Sequence, residues 1–316
     1  MDIFSPARPG VRTGLLAAAA LLPPLLARPA AAQSLDDGLL VPRRTVRASV
    51  DYGAERWSRY WEGTRERTND NLGTVETRTT TLTALYGVTD RLTVGASLPY
   101  VRTEASEGVL KGQQGWQDVT VAAKLRLLQA PVGGRARLGV LVAGGAGAPT
   151  TDYTPDFLPM SIGLGARQAT LRGAAHLRDR SGLFVEGSAA RTWRSTVHLD
   201  RPAYYTSDGG LTLSDEVRMP DVASYAAGAG FQNRRWCVPV TFVAQRTLGG
   251  GDIRRQDMPF VSNRMDFTRV QAKAMYTLPF APAVVLDAGG YRTLSGRNVG
   301  RATALAGGVT LVGRPW

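Results

Sequence analysis

The chain has 316 residues, with 38 Lys and Arg against 26 Asp and Glu, and a formal net charge of +12. Hydrophobic residues at 43% and charged residues at 20% exclude an intrinsically disordered chain. A single cysteine, Cys237, excludes a disulfide framework.

The amino terminus reads as a targeting segment. Arg8 and Arg12 precede an apolar stretch from Gly14 to Ala27, broken by Pro23 and Pro24, and Ala30, Ala31 and Ala32 follow. That order predicts a secretory signal over residues 1–32, cleaved near Ala32. Loss of its three Arg and one Asp lowers the net charge to +10 in the mature chain. Export removes the nucleic-acid reading that the basic balance first invites. Past residue 32 no apolar run approaches the roughly 20 residues of a spanning helix. Residues 33–44 are expected to form a short periplasmic segment, and 45–316 a single barrel domain.

From residue 45 onward the pattern has period two. Leu92-Thr93-Val94-Gly95-Ala96-Ser97-Leu98 places apolar residues on even positions. Val119 to Leu127 sets Lys124 and Arg126 on one face and Val121, Ala123, Leu125 and Leu127 on the other. Ala223–Ala229 and Thr268–Ala274 repeat the alternation. A helix recurs at three and four instead. About twelve such strands are predicted. They begin near Thr45, Thr74, Leu92, Trp116, Ala136, Ser161, Leu183, Asp221, Trp236, Arg264, Val284 and Val299.

The connections alternate in length. Short turns are expected around 89–90, 132–134, 179–182, 232–234 and 280–282. Longer polar loops are expected around 65–73, 103–115, 149–159, 198–219 and 249–263, while 295–298 is short where the rule asks for length. This predicts an all-β, up-and-down antiparallel transmembrane barrel of the outer-membrane type, with short turns in the periplasm. Closure is obligatory in lipid, where an open edge leaves backbone groups unpaired.

Aromatic residues collect at both strand ends, as interfacial girdles require. Tyr86, Phe184, Phe231, Trp236, Tyr276 and Trp316 fall at short-turn ends. Trp57, Tyr60, Trp61, Tyr100, Trp116, Trp193 and Phe267 fall at long-loop ends. A terminal aromatic, Trp316, suits recognition by the barrel assembly machinery.

One stretch has a recognisable order. Leu85 to Val101 reads strand, Gly87-Val88-Thr89-Asp90-Arg91-Leu92 turn, then a strand ending Leu98-Pro99-Tyr100. Gly115-Trp116-Gln117-Asp118 follows and opens a strand bearing Lys124. Over residues 74–128 this resembles the meta-pathway phenol-degradation family of outer-membrane proteins, often labelled simply as transporters. The resemblance implies a porin-like barrel more firmly than it implies phenol.

The sequence carries no catalytic or metal-binding pattern. The two histidines, His176 and His198, lie far apart in sequence, and neither has a serine partner that the spacing identifies as a nucleophile. No G-x-S-x-G, S-x-x-K, H-E-x-x-H or P-loop pattern occurs. Two His and one Cys do not make a zinc site. The acidic loop around Asp208, Asp215 and Glu216 lacks EF-hand spacing. The expectation is a protein that is not an enzyme, with no cofactor and no catalytic or metal-binding residue.

Taking each strand's apolar parity as outward places Arg47, Lys124, Arg126, Arg137, Arg172, Arg194, Arg269 and Lys273 inward. Inward acids are fewer: Asp51, Glu55, Asp118, Glu186 and Asp287. A basic lumen favours anions. The leading expectation is a porin-like channel for passive passage of small solutes, aromatic or anionic, embedded in outer-membrane lipid. The alternatives are a non-conducting structural or surface-interaction barrel and, last, a lipid-modifying barrel enzyme or a soluble β-sandwich.

Overall fold

The computed structural model describes residues 39–206, 208–254 and 259–314. Their long strands are β1 (Val46–Trp57), β2 (Val75–Gly87), β3 (Leu92–Ala105), β4 (Asp118–Val132), β5 (Ala136–Pro149) and β6 (Gln168–Asp179). They continue as β7 (Leu183–Arg194), β8 (Asp221–Gln232), β9 (Trp236–Leu248), β10 (Asp266–Thr277), β11 (Val284–Arg297) and β12 (Thr303–Gly313). Each pairs antiparallel with the next, and β1 also pairs with β12, from Val46 opposite Gly313 to Arg56 opposite Thr303. The result is a closed twelve-stranded up-and-down barrel of the outer-membrane type, without a free edge.

Alternation decides which side chains face out. On β1 the even residues Val50 and Tyr52 are exposed, while Arg47, Ser49 and Asp51 line the interior. The same division puts Leu82, Val121, Leu125, Leu171, Val185, Tyr225, Val240, Phe242 and Leu305 on the outer wall, all exposed. Each exposed apolar Å² costs about 25 cal/mol in water. An apolar band carried round the whole sheet is therefore a surface made for hydrocarbon.

Two register shifts interrupt the pattern. Between Arg126 and Leu128 a bulge skips one residue, so Leu127 and Leu128 are both exposed and the inward parity changes from even to odd. A second shift lies opposite Thr268 and Arg269.

The short turns span 88–91, 133–135, 180–182, 233–235 and 278–283. They close through side-chain acceptors. Asp179 Oδ1 accepts the amides of Gly182 and Leu183 at 2.9 and 3.0 Å, and Asn233 Oδ1 those of Arg235 and Trp236 at 2.8 and 2.8 Å.

The opposite end carries the long loops 58–74, 106–117, 150–167, 195–220 and 249–265, and a short last connection, 298–302. These loops build structure of their own. Hairpins pair Arg59–Glu62 with Arg65–Thr68, and Thr196–His198 with Glu216–Arg218. Val197, Leu199, Val217, Met219 and Val261 bury one small core above the barrel, and Leu72, Val75 and Met160 another.

Two strand starts differ from expectation. The strand expected from Ser161 begins at Gln168, because Ile162 and Met160 are buried in the loop cap rather than in the wall. The last strand begins at Thr303 rather than Val299.

Four aromatics expected at the interface point elsewhere. Trp57 has the inward parity of β1 and packs against the Leu72, Val75 and Met160 core. Trp61 is buried in the hairpin that follows, against Gly296. The chain leaves the wall at Ser58, whose carbonyl accepts the Asn69 amide, so both indoles are folded over the mouth. Of the other long-loop-end aromatics, Phe267 lines the interior. At the short-turn end, Phe184 is likewise buried inward. Tyr86, Trp116, Trp193, Phe231 and Trp236 are exposed on the outer face. Tyr276 packs against Trp236 at a tilt with centroids 4.5 Å apart, and Tyr100 meets Trp116 edge-on at 5.3 Å. The expectations for residues 1–32 and for Trp316 lie outside the described residues.

Candidate functional site

The barrel encloses a cavity of about 600 Å³. Its charged lining comes from opposite sides of the barrel: Arg47 and Asp51 on β1, Arg172 on β6, Glu186 on β7, Arg269 and Lys273 on β10, and Asp287 on β11. Among the described residues four cations thus face three carboxylates. The lining is closer to neutral than the inward residues counted along the sequence, because several of those cations lie outside the cavity.

Lys273 is the centre of one cluster. Its Nζ lies 2.8 Å from Asp287 and 3.5 Å from Asp51, and Ser49 Oγ donates to Asp51 at 2.9 Å. Backbone register brings this about. Asp51 and Asp287 flank the same β12 residue, Gly308, one from each neighbouring strand. A Cβ on Gly308 would stand 2.5 Å from the Asp51 carboxylate and 2.9 Å from that of Asp287. Glycine there leaves the room in which two carboxylates share one ammonium.

Arg269 sits differently. Its guanidinium lies 4.2 Å from the Phe267 ring centroid and 4.6 Å from that of Tyr291. Two aromatic faces hold the cation at the wall through its planar surface. On the far side Arg172 Nη1 donates to Ser188 Oγ at 3.3 Å. His176 Nδ1 is 3.5 Å from Glu186, with its ring 4.9 Å from that of Phe184.

Other inward residues lie away from the cavity. Lys124 is 1% exposed, near the short-turn end beside Thr93. Arg126 reaches the carbonyl of Asp90 in the first short turn. Arg137 is exposed at the short-turn rim, in register with Arg178. Asp118 stands at the other mouth, where it accepts Tyr153 Oη at 2.6 Å.

Both mouths carry covering segments. At the short-turn end residues 39–44 do not extend away from the barrel. Leu39 lines the cavity, Val41 is buried, and its amide donates to inward-facing Thr93 Oγ1 at 2.9 Å. The Arg44 amide donates to Gly87 O at 2.7 Å, which closes the turn into β1. At the other end loop 150–167 dips inward. Thr103 Oγ1 donates to Met160 O at 2.6 Å, and Tyr153 Oη, while donating to Asp118, accepts the Gly165 amide at 3.0 Å. Burial and the neighbouring Asp118 push the Tyr153 phenol well above its ordinary range. Neither covering segment has a sequence signature. Each is held by buried apolar side chains and by polar contacts between residues distant in sequence.

Among the described residues no three His, Cys, Asp or Glu side chains group to hold a metal ion. No hydroxyl among the described residues is hydrogen-bonded to His176, whose two ring nitrogens are buried without a hydrogen-bond partner. The arrangement offers a polar, charged, aromatic-flanked cavity.

The fold has solved counterparts. An outer-membrane channel from Pseudomonas putida F1 superposes with a TM-score of 0.70 and 17% identity, over 88% of this chain and 98% of that one. At that identity the likeness shows the fold. The translocator domain of the autotransporter NalP from Neisseria meningitidis has a TM-score of 0.45 and 14% identity, over 86% and 88% of the two chains. The NanC porin has 0.45 and 8%, over 83% and 98%. These two scores are too low to bear on the site. No family model matches the chain, and no curated protein matches it in sequence.

Proposed function

We propose that this protein is an outer-membrane channel for the passive passage of small solutes, performing no chemistry. The observation that carries the reading is the 600 Å³ charged cavity inside a closed barrel. Barrels of about eight strands fill their interior with side chains, whereas this twelve-stranded one keeps space between opposed charged walls. The likeness in fold to a solved outer-membrane channel supports the same reading.

The finer reading is small aromatic or anionic solutes. Arg47, Arg172 and Arg269 line the cavity, and the aromatic faces of Phe267 and Tyr291 stand beside Arg269. The resemblance of residues 74–128 to meta-pathway phenol-degradation transporters points the same way. Residues 1–32 are read as the export signal, which amino-terminal sequencing of the mature protein would check.

Planar bilayer recording tests the proposal. Purified protein should give discrete unitary current steps. Silence at all voltages, in protein that retains heat-modifiable gel migration, would leave the non-conducting barrel as the correct description.

A further inference from the structure

The outer wall is electrically asymmetric along the barrel axis. Toward the long-loop end, outward strand positions carry Arg56, Arg78, Arg102, Arg191, Arg246 and Arg292, in the parity of Val50, Leu82, Val94, Val185, Phe242 and Leu286 on their respective strands. At the short-turn end the last outward residues are apolar or aromatic, among them Tyr86, Val132, Leu183, Phe231, Trp236 and Leu311. Arginines of that end, such as Arg135 and Arg234, stand in the turns beyond the paired wall.

The densest part of the collar lies on β1–β3. Arg78 and Arg102 are directly opposite in the antiparallel register, and Glu76 and Glu104 form the next outward row toward the loops. Like charges directly opposite on a sheet repel. The carboxylates relieve this only in part. Arg56 Nε binds Glu76 at 2.6 Å, Arg78 Nε binds Glu76, Arg102 binds Glu104, and Arg78 Nη2 is 3.8 Å from Glu104. Three guanidinium groups share two carboxylates, and the Arg56 and Arg102 side chains stay 64% and 52% exposed. Just below lie Tyr52, Leu82 and Leu98, where acyl chains would run.

We infer that the Arg56, Arg78 and Arg102 patch binds the phosphate groups of outer-leaflet lipid. Guanidinium forks suit phosphate oxygens, and an interfacial position places them where lipid phosphates lie. The apolar band commits the occupant to an acylated molecule rather than free phosphate. The inference does not depend on conduction, since the patch is on the outer face of the wall.

Native mass spectrometry of the full-length protein in detergent tests it. The probe is a bis-phosphorylated glucosamine lipid, with the same lipid stripped of phosphate as comparison. The wild type should retain the phosphorylated lipid and shed the other. Joint Arg78→Gln and Arg102→Gln should weaken retention about tenfold, whereas Arg135→Gln should leave it unchanged. Equal retention of both lipids by the wild type would overturn the inference. So would an unweakened double variant, or complete displacement by inorganic phosphate. If the double variant fails to fold, the comparison of the two lipids on the wild type decides alone.

Discussion

Arg297 grips Asp252 with both sides of its fork, Nε to Oδ1 and Nη2 to Oδ2, each at 2.7 Å. The pair joins the end of β11 to loop 249–265, and the next residue completes the joint. Asn298, at a φ of 55°, donates to Asp252 Oδ1 and Arg264 O, and its Oδ1 accepts the Gly63 and Ile253 amides. Three loops that are remote in sequence are thereby tied over one side of the mouth. Arg301 adds a further tie, to Glu66 at 2.8 Å.

Asn298 should therefore matter more than its place in a five-residue connection suggests. Asn298→Ala strands buried donors and acceptors and strains the backbone, at about 2 kcal/mol of local stability. Asn298→Gly relieves the strain but not the lost bonds. Hydrogen exchange over residues 59–68 and 249–254 should rise in both variants, more in the alanine variant. Unchanged protection would mean that the apolar loop cores hold the cap by themselves.

The same joint should open in acid. The Arg297 hydrogen bonds hold the Asp252 carboxyl below the ordinary carboxylate range. A depressed folded value means that the contribution is present above the unfolded pKa and is lost as pH falls through the folded one. Loop protection should thus persist at pH 5 and decline below about pH 4. Asp252→Asn should remove that acid-dependent step while leaving the barrel folded. A step that survives in the variant would place the titration elsewhere.

Tyr153 is the corresponding fastening for loop 150–167. Tyr153→Phe removes the bond to Asp118 and the acceptor for Gly165, for about 1–2 kcal/mol locally. We expect more frequent open–closed flicker in single-channel records without a change in the largest unitary current. An altered maximal current with no change in flicker would show that the phenol lines the passage rather than fastening the loop.

Strand order and facing were legible because hydrocarbon outside and polar groups inside impose a strict alternation, as in Leu92–Leu98. The same alternation misled at Ser161–Gly165, where glycine and apolar residues take turns in a loop whose Ile162 is buried. Adjacent Leu127 and Leu128 do mark the bulge, since no unbroken strand puts two neighbours on one face. Trp57 followed the inward parity of its own strand, which outweighs the habit of aromatics at strand ends. The Lys273 cluster needs the register of four strands around Gly308, and the Val41–Thr93 contact spans 52 residues. Pattern within a segment carries neither.

The most direct test of the channel reading is the reversal potential under a salt gradient, measured on the wild type and on Lys273→Glu. Lys273 faces the cavity between Asp51 and Asp287, so charge reversal there leaves three cations facing four carboxylates. The predicted result is discrete channels in both proteins, with the variant's reversal potential displaced toward cation selectivity. Folded wild-type protein that conducts with a reversal potential indifferent to Lys273→Glu would contradict passage through this cavity.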